Sequence, residues 1–447
     1  MGKLFGTDGL RGAAGEYPLD NATLELLGRI LYFFFIEKAI APVLIVGRDT
    51  RASGTTIADA LTRGFIRSGG HVHDGGVLPT PAIAYLAKTQ NSLAVSITAS
   101  HNPADDNGIK LFAPDGYKLQ EQVESEIESY LTGEKMFLKE TAAGPGESSI
   151  HHQHFATLYS NHLKELFSDL DLSDVRIVID CANGALFEIA PAVLRSLGAE
   201  VAVLNVEPDG KNINYMCGSL FPEVLANAVR KTQFDCGFTF DGDGDRCLVA
   251  DTNAMYDGDF ILGAAARYLH SRSLLKQNAV VATTMSNLGL EVFLKTLGIE
   301  LRRVPVGDKY VLEKLELEDL SLGGEQSGHV IFMNDSHIGD GLLTALQILR
   351  IYKNSGSSSF SAIWDGIRKF PQTLTNVPVK SKPDLQSVPG VPEKILDIEA
   401  ALGLSGRIVV RYSGTEMLAR IMIEGPEQSQ IEEMAGELSK IISSQLC

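Results

Sequence analysis

Short runs of apolar, mostly β-branched residues recur along the chain and alternate with longer segments of helical character. The clearest runs are Val43–Val46, Leu93–Ile97, Val175–Ile179, Val201–Val206, Ala279–Thr283 and Val330–Met333. Strands that alternate with helical segments are typical of βαβ units. The pattern therefore predicts an α/β protein.

Changes in this pattern divide the chain. A polar stretch with glycine and proline ends near Ser149, and a helix-like segment, His151–Leu172, follows it. A later helix is predicted over Phe260–Leu269. The last part differs in character, with extended proline-rich pieces, a strand pair over Arg407–Tyr412 and Arg420–Glu424, and a closing helix over Gln430–Leu446. This part is predicted to be a separate, smaller α+β module.

Composition excludes several classes of function. The 447 residues include 39 Lys and Arg against 56 Asp and Glu, a formal net charge of −17, which argues against nonspecific nucleic-acid binding. The five cysteines form no CxxC pair and are too sparse for a disulfide framework. The most apolar stretch, Ile30–Gly47, is interrupted by Glu37, Lys38 and Pro42, so no membrane span is expected. The expected location is the cytoplasm.

The sharpest chemical motif is Asp241-Gly-Asp-Gly-Asp-Arg246. On an extended chain its aspartates would share one side, with successive carboxylates about 6–7 Å apart, too far to hold one ion. Glycine at 242 and 244 lets the backbone curl until the three carboxylates converge on a hard cation such as Mg²⁺. An EF-hand is excluded because Arg246 and Thr252 occupy its required Gly and Glu positions.

A second motif, Thr98-Ala-Ser-His-Asn-Pro103, follows the predicted strand Leu93–Ile97. Loops at the carboxyl ends of strands commonly hold reactive groups, and Ser100 is the candidate nucleophile. Thr98 and Asn102 stand where a hydrolase elbow requires glycine, so an acyl-transfer role is excluded. Lys110 follows shortly afterwards and could serve a phosphate or a proton transfer.

Two further loops combine glycine with polar side chains. Gly323–His329 lacks the nucleotide P-loop pattern, and its short polar groups suit hydrogen bonds to sugar hydroxyls. Arg411–Arg420 carries two arginines, Ser413, Gly414 and Thr415, which together can surround a phosphate.

In this order, the segments TASHNP, DGDGDR, GGEQSGH and RYSGTE resemble the motifs of the α-D-phosphohexomutases, and the match extends to Gly6-Thr-Asp-Gly-Leu-Arg-Gly12. The resemblance spans nearly the whole chain. It implies an α/β protein with four domains around a central cleft, three related α/β domains with mixed sheets and a smaller C-terminal α+β domain. The domains are predicted at 1–149 with the serine loop, 150–252 with the metal loop, 253–365 with the sugar loop and 366–447 with the phosphate loop.

The same resemblance assigns roles to the motif residues. Ser100 would be the phosphorylated residue and, with Asp241, Asp243 and Asp245, a ligand of one Mg²⁺ per chain. Substrate would be bound by the residues Glu325, Ser327, His329, Lys309, Arg411, Ser413, Gly414, Thr415 and Arg420. About −2 from phosphate and −3 from the aspartates exceed +2 from magnesium, so further cations are needed, and Arg11 and Arg246 are expected to supply them. Lys110, His101 and His329 are the open candidates for proton transfer.

The implied activity is that of an isomerase that moves a phosphoryl group between the 6- and 1-oxygens of a hexose. It would proceed through a phosphoserine enzyme and a 1,6-bisphosphate, which serves as intermediate or activator. Four segments resemble the bacterial branch that acts on glucosamine phosphates and supplies the synthesis of amino-sugar nucleotides and cell-wall precursors: Gln326, Asp209–Asn214, Met285–Gly289 and Val306–Val311.

Three positions depart from that pattern. Met417 and Ala419 replace the usual proline and a bulkier aliphatic residue in the phosphate loop, and Lys309 stands where arginine is common. Three alternatives stay open: a phosphomannomutase/phosphoglucomutase specificity, a metal-dependent phosphatase that uses Ser100, and a non-enzymatic sugar-phosphate sensor with a structural metal. The expected partner is a small hexosamine phosphate, with no nucleic acid or membrane, and a homodimer is one option.

Overall fold

The computed structural model describes residues 4–6, 9–38, 41–136, 144–413 and 417–446, with the side chains of Phe35 and Leu404 left out. Gly414 and Thr415 of the predicted phosphate loop lie outside these ranges. The chain divides into two units, one of residues 1–285 and 301–365, the other of residues 286–300 and 366–447.

The first sheet of the larger unit has seven strands in the order β1-β2-β6-β5-β3-β4-β7. Its elements are β1 (Phe5–Gly6), β2 (Gly9–Ala13), α1 (Asn21–Glu37), β3 (Val43–Arg48), α2 (Ser53–Arg67), β4 (His71–Val77), α3 (Thr80–Thr89), β5 (Leu93–Ile97), β6 (Asp106–Phe112), α4 (Glu121–Leu131) and β7 (Ser148–Ile150). β3 runs parallel to β4 and β5, whereas β6 is antiparallel to β2 and β5. The β5–β6 register sets Lys110 opposite Ser96, close to the loop that carries Ser100.

The second sheet has five strands in the order β12-β11-β10-β8-β9. Its region contains α5 (His152–Leu166), β8 (Arg176–Asp180), α6 (Ile189–Ser196), β9 (Glu200–Leu204), α7 (Pro222–Thr232), β10 (Cys236–Phe240), β11 (Cys247–Ala250) and β12 (Met255–Tyr256). β10 and β11 form an antiparallel pair. The six residues between them are the aspartate motif, so the hairpin presents that motif at its tip.

The third sheet has four strands in the order β14-β13-β15-β16. Its region contains α8 (Gly258–Ser271), β13 (Ala279–Thr283), α9 (Leu288–Thr296), β14 (Glu300–Val304), α10 (Asp308–Leu317), β15 (Leu322–Gly324), β16 (Val330–Phe332) and α11 (Gly341–Ser355). β15 and β16 are antiparallel, and the glycine-rich loop Glu325–His329 connects them. α9 falls in this stretch of sequence but belongs to the smaller unit.

The smaller unit contains an antiparallel sheet in the order β17-β19-β18. Its further elements are β17 (Gln372–Pro378), α12 (Val391–Leu402), β18 (Arg407–Tyr412), β19 (Leu418–Glu424) and α13 (Gln428–Leu446). Together the three mixed sheets and this small sheet with its helices confirm the predicted α/β class. Short 3-10 turns lie at Gly218–Leu220, Lys276–Asn278, Phe360–Trp364, Leu385–Ser387 and Gly403–Ser405.

A buried polar network ties α9 into the smaller unit. The carboxylate of Glu424, which is fully buried, accepts hydrogen bonds from Asn287 Nδ2 at 3.1 Å, from the Leu288 backbone at 3.0 Å and from Arg407 Nε at 2.5 Å. Asn287 Oδ1 in turn accepts the Gly289 N–H and thereby caps α9. Because a buried carboxylate is costly unless it is paired, this network makes α9 part of the C-terminal core.

The predicted helix over His151–Leu172 is wrong at its end, since α5 ends at Leu166. The apolar spacing continues through Leu170 and Leu172, which are buried. However, the Leu172 N–H bonds to the Leu197 carbonyl, and Asp171 Oδ1 accepts the Ser173 N–H in a local turn. An aspartate that bonds its own backbone competes with helix formation, which accounts for the early stop.

No helix in the described ranges combines the length and the apolar character that crossing a bilayer requires.

A buried acid predicts a pH dependence of stability. Asp340 caps α11 by accepting the Leu343 N–H at 2.9 Å and accepts the Tyr159 hydroxyl at 2.7 Å. Burial raises its pKa from 3.8 to about 6. Because the folded protein then holds this proton more tightly than the unfolded chain, the free energy of unfolding falls as the pH rises from about 4 to 6.

Asp340→Asn keeps the cap and removes this charge. Between pH 4 and pH 7 this group should lower the free energy of unfolding of the parent protein by about 3 kcal/mol. We expect that decrease to be absent from the variant when both proteins are unfolded in urea. Equal pH slopes in the two proteins would contradict the assignment.

Candidate active site

The predicted nucleophile lies against the aspartate motif. Ser100 Oγ donates a hydrogen bond of 2.7 Å to Asp241 Oδ2, although 141 positions separate the two residues. Ser100, Asp241, Asp243 and Asp245 are all buried, with Ser100 1% exposed. The hydroxyl and the carboxylates therefore form one site between the first and second sheets.

Glycine allows both the curl of the motif and the approach of the serine loop. The Gly244 N–H bonds to the Asp241 carbonyl at 3.1 Å, and Gly244 has φ +73°, so the chain turns back within four residues. A Cβ atom at position 242 would lie 2.6 Å from the Ser100 carbonyl oxygen. Any side chain at 242 would push the serine loop away.

The aspartate triad fits a divalent cation. One ligand atom from each of Asp241, Asp243 and Asp245 lies within 4.8 Å of the others, and no second group of three ligating side chains occurs in the described part of the chain. The buried atoms Asp243 Oδ1 and Asp245 Oδ1 have no hydrogen-bond partner. Buried carboxylate oxygens without donors are costly, and a hard cation is the group that satisfies several of them together.

The charges within the triad are distributed unevenly. Burial, followed by the negative charges of Asp245 and Asp243, raises the pKa of Asp241 well above its usual range. Burial acts in the same direction on Asp245, but Lys110, His329 and Arg246 hold the pKa of that carboxyl well below its usual range. The Lys110 ammonium lies 3.0 Å from Asp243 and 3.4 Å from Asp245.

A buried arginine that the sequence reasoning missed supports the serine loop. Arg51 is paired with Asp49 at 2.9 Å, and both side chains are fully buried. Its guanidinium donates to the carbonyls of Ser100 at 3.0 Å, Asn102 at 2.9 Å and Asp106 at 3.0 Å, and also to that of Pro103. One rigid fork of donors thus fixes most of the loop.

This support holds Ser100 in an unusual backbone conformation. Ser100 has φ +51°, in the left-handed region that non-glycine residues rarely adopt. Its N–H bonds to Thr98 Oγ1 at 2.8 Å, and Thr98 Oγ1 donates to Asp49 at 2.7 Å. The surrounding bonds therefore determine where Oγ lies.

Two other unpredicted residues connect the sheets at the site. Asn214 Nδ2 donates to the Ser100 carbonyl at 2.9 Å and to that of Asn102 at 3.1 Å. Thr80 Oγ1 donates to Asp243 Oδ2 at 2.7 Å. One signal was available for Asp49 and Arg51, because they follow a buried strand just as Ser100 does. No sequence signal marked Asn214 or Thr80 as a site residue.

Two histidines flank the reacting groups. His101 Nδ1 lies 3.3 Å from Ser100 Oγ, and burial, together with the cations of Arg246 and Arg11, lowers the pKa of His101 to about 4. His329 is buried and lies 3.5 Å from Asp245 through Nδ1. Burial opposes its charged form, but the Asp245 carboxylate outweighs burial and raises the pKa of His329. Its buried Nε2 has no hydrogen-bond partner.

A cavity of about 400 Å³, the site cavity, opens beside these groups. It is lined by Leu4, Gly6, Gly9, Arg11, His101, Asp245, Arg246, Val306, Gly307, Asp308, Glu325 and His329. Glu325 is fixed there by the Gly307 N–H at 3.1 Å and by Ser327 Oγ at 3.5 Å. Lys309 instead lines an adjacent outer cavity of about 540 Å³, where its ammonium lies 3.8 Å from Glu121.

Three of the predicted phosphate-binding residues, Arg411, Ser413 and Arg420, lie within the smaller unit. Arg411 and Arg420 are directly opposite on β18 and β19, and burial together with the Arg420 cation lowers the pKa of Arg411. Like charges opposite each other are unfavourable unless an anion lies between them. Ser413 is buried, and Lys382, which the sequence reasoning missed, donates to its carbonyl at 2.6 Å.

Comparison with known proteins identifies the class. Profiles of the phosphoglucomutase/phosphomannomutase family match the chain with α/β/α domain I at residues 2–137, domain II at 157–255, domain III at 257–370 and the C-terminal domain at 374–441. The chain therefore belongs to this family, the α-D-phosphohexomutases, which confirms the predicted resemblance and its enzyme class.

The similar full-length relatives are phosphoglucosamine mutases. The protein of Alkaliphilus metalliredigens is 42% identical and that of Syntrophus aciditrophicus 41% identical, each over 451 residues and 100% of both chains. Among solved structures, a phosphoglucomutase/phosphomannomutase family protein from Burkholderia thailandensis has the same fold, with a TM-score of 0.80 at 22% identity over 99% of this chain and 97% of that one.

Proposed function

We propose that the protein interconverts glucosamine 6-phosphate and glucosamine 1-phosphate and so supplies the synthesis of amino-sugar nucleotides and cell-wall precursors. The observation that carries this is the 2.7 Å contact between Ser100 Oγ and Asp241 inside a cluster of three buried carboxylates. The full-length relatives named phosphoglucosamine mutase support the amino sugar as substrate.

The proposed reaction transfers one phosphoryl group out of the protein and another back. The bond between phosphorus and Ser100 Oγ breaks as a sugar hydroxyl oxygen attacks, which gives glucosamine 1,6-bisphosphate and a free serine. After the bisphosphate turns round, its other phosphoryl group returns to Ser100 and the isomeric monophosphate leaves. Uncatalysed cleavage of phosphate monoesters is extremely slow, so positioning and charge stabilisation must supply most of the acceleration.

Asp241, Asp243 and Asp245 are the residues that would hold a divalent cation, and their all-oxygen donor set suits Mg²⁺. When bound, such an ion supplies positive charge that offsets the charge of the phosphoryl oxygens. Arg246 and Arg11 line the site cavity together with Asp245. They add positive charge to offset the negative charge that a divalent ion alone would not balance.

We assign the three candidates for proton transfer from their positions in the site. His101 Nδ1, at 3.3 Å, is the ring nitrogen placed to exchange a proton with Ser100 Oγ. His329 lines the site cavity and has a buried Nε2 without a partner, so we assign it to the sugar hydroxyl. The Lys110 ammonium contacts the carboxylates of Asp243 and Asp245. We therefore assign it to charge neutralisation rather than to proton transfer.

The remaining assignments concern binding and location. We assign the sugar hydroxyls to Glu325 and Ser327, and the non-reacting phosphate to Arg411, Ser413 and Arg420 of the smaller unit, with Gly414 and Thr415 as the rest of that loop. The proposal places the enzyme in the cytoplasm, and the buried free cysteines at 181, 217, 236 and 247 agree with a reducing compartment. The enzyme would act as a monomer or a homodimer.

A direct assay tests the substrate. We expect turnover of glucosamine 6-phosphate with a higher kcat/KM than mannose 6-phosphate or glucose 6-phosphate, loss of turnover in EDTA and recovery with added Mg²⁺. A clear preference for mannose 6-phosphate would overturn the glucosamine assignment. Steady release of inorganic phosphate without isomerised sugar would instead indicate a phosphatase.

A further inference from the structure

The site cavity has cations at one end and carboxylates at the other. Arg11 and Arg246 line it beside the serine loop, whereas Asp308 and Glu325 line it from the region of the third sheet. A third carboxylate, Asp245, is already surrounded by Lys110, His329 and Arg246. Two acidic side chains are therefore placed to meet the non-reacting part of a sugar.

The proposed substrate differs from a glucose phosphate only at C2, where an amine replaces a hydroxyl. An amine of this kind is largely a cation at neutral pH, with donors and no acceptor. A hydroxyl both donates and accepts. A carboxylate near C2 would therefore favour the amino sugar over the hydroxyl sugar.

Glu325 is arranged for hydroxyl groups. Ser327 Oγ lies 3.5 Å from Glu325 Oε2, so the loop presents an acceptor and a hydroxyl side by side. That pair matches groups that both donate and accept. The Gly307 N–H occupies the other oxygen of Glu325 at 3.1 Å and fixes its orientation.

Asp308 is arranged for an ammonium group. Its Oδ2 binds the ammonium of Lys118 at 2.5 Å, so the carboxylate already accommodates one primary ammonium. Its Oδ1 accepts the Lys309 N–H at 2.8 Å, which holds the side chain at the start of α10. Each carboxylate oxygen has two lone pairs, so an engaged carboxylate can accept a further donor.

The surroundings of Asp308 favour a cation. Asp308 lines both the site cavity and the outer cavity. The outer cavity is lined by six aspartates and glutamates against three lysines. An excess of carboxylates in a cleft raises the local concentration of positive groups. In the outer cavity, carboxylates therefore outweigh the positive charge of Lys118.

We propose that Asp308 recognises the 2-ammonium group of the sugar and is the residue that makes the enzyme prefer glucosamine phosphates to glucose phosphates. This inference rests on the proposed function and names a specificity-determining residue within it.

The test compares two substrates in three proteins. We expect Asp308→Asn to lower kcat/KM for glucosamine 6-phosphate by about 10- to 100-fold, and to change kcat/KM for glucose 6-phosphate by less than about 3-fold, because a charge-assisted hydrogen bond is lost for the amine alone. Lys118→Met breaks the same ion pair from its other end but leaves the carboxylate, so this variant should keep the preference of the parent enzyme.

The outcomes separate the two levels of the argument. If Asp308 only ties α10 to Lys118, both variants will lower kcat/KM for the two substrates by the same factor, and the inference is overturned. An unchanged substrate ratio in Asp308→Asn overturns it as well. If the parent enzyme does not turn over glucosamine phosphates at all, the proposed function fails before Asp308 is tested.

Discussion

Ser100→Ala is expected to lower the rate of sugar-phosphate isomerisation by at least about 10⁴-fold, because no other hydroxyl would take its place as the phosphoryl carrier. The parent protein, incubated with a hexose 1,6-bisphosphate, should gain the mass of one phosphoryl group by intact-mass spectrometry, and the variant should gain none. Both measurements follow from the position of Ser100 Oγ at 2.7 Å from Asp241.

Ser129→Ala provides the matched control. The Ser129 hydroxyl is exposed and bonds only locally, to the Glu126 carbonyl at 2.7 Å, so its removal should leave turnover and phosphorylation unchanged. Retained turnover in Ser100→Ala would eliminate the serine as carrier. Ligand binding with an undiminished biological output in that variant would favour the sugar-phosphate sensor.

Arg51→Lys is expected to lower kcat by about 10²-fold with little change in KM, because small misplacements of a reacting group have effects of this size. Lysine keeps the charge beside Asp49 but lacks the planar fork that reaches four carbonyls of the serine loop. Without that fork, Ser100 can relax from φ +51° to a commoner conformation and move Oγ away from Asp241.

The measurements are the rate of Ser100 phosphorylation by a hexose 1,6-bisphosphate and the melting temperature of each protein. Arg48→Lys is the control, since Arg48 lies three residues earlier and pairs with Asp74 at 2.9 Å rather than with the loop. A variant that melts earlier but phosphorylates Ser100 at the parent rate would show that Arg51 supports only the fold.

The sequence was informative where chemistry and spacing are local. The aspartate motif, the serine loop and the strands that precede them are contiguous, so residue type and periodicity were sufficient to nominate Ser100, Asp241, Asp243 and Asp245. The family resemblance added the order of the four loops and the number of domains. The predicted strands lie within one or two residues of the observed β3, β5, β8, β9, β13 and β16.

The residues that support the site were not predicted from the sequence because their contacts join positions far apart in the chain. Thr80 reaches Asp243 across 163 positions, and Asn214 reaches Ser100 across 114. Neither residue type is unusual in its local context, so no pattern marked them. Only the packing of the first sheet against the second brings them to the site.

The bonds that tie α9 to Glu424 affect how this enzyme could be divided or recombined. A chimera that exchanges everything after residue 365 would separate Glu424 from Asn287 and Leu288, whose bonds to it lie inside the smaller unit. The donor's carboxylate would then be buried opposite foreign side chains. A functional graft must therefore carry two pieces of gene, the C-terminal segment and the codons for residues 286–300.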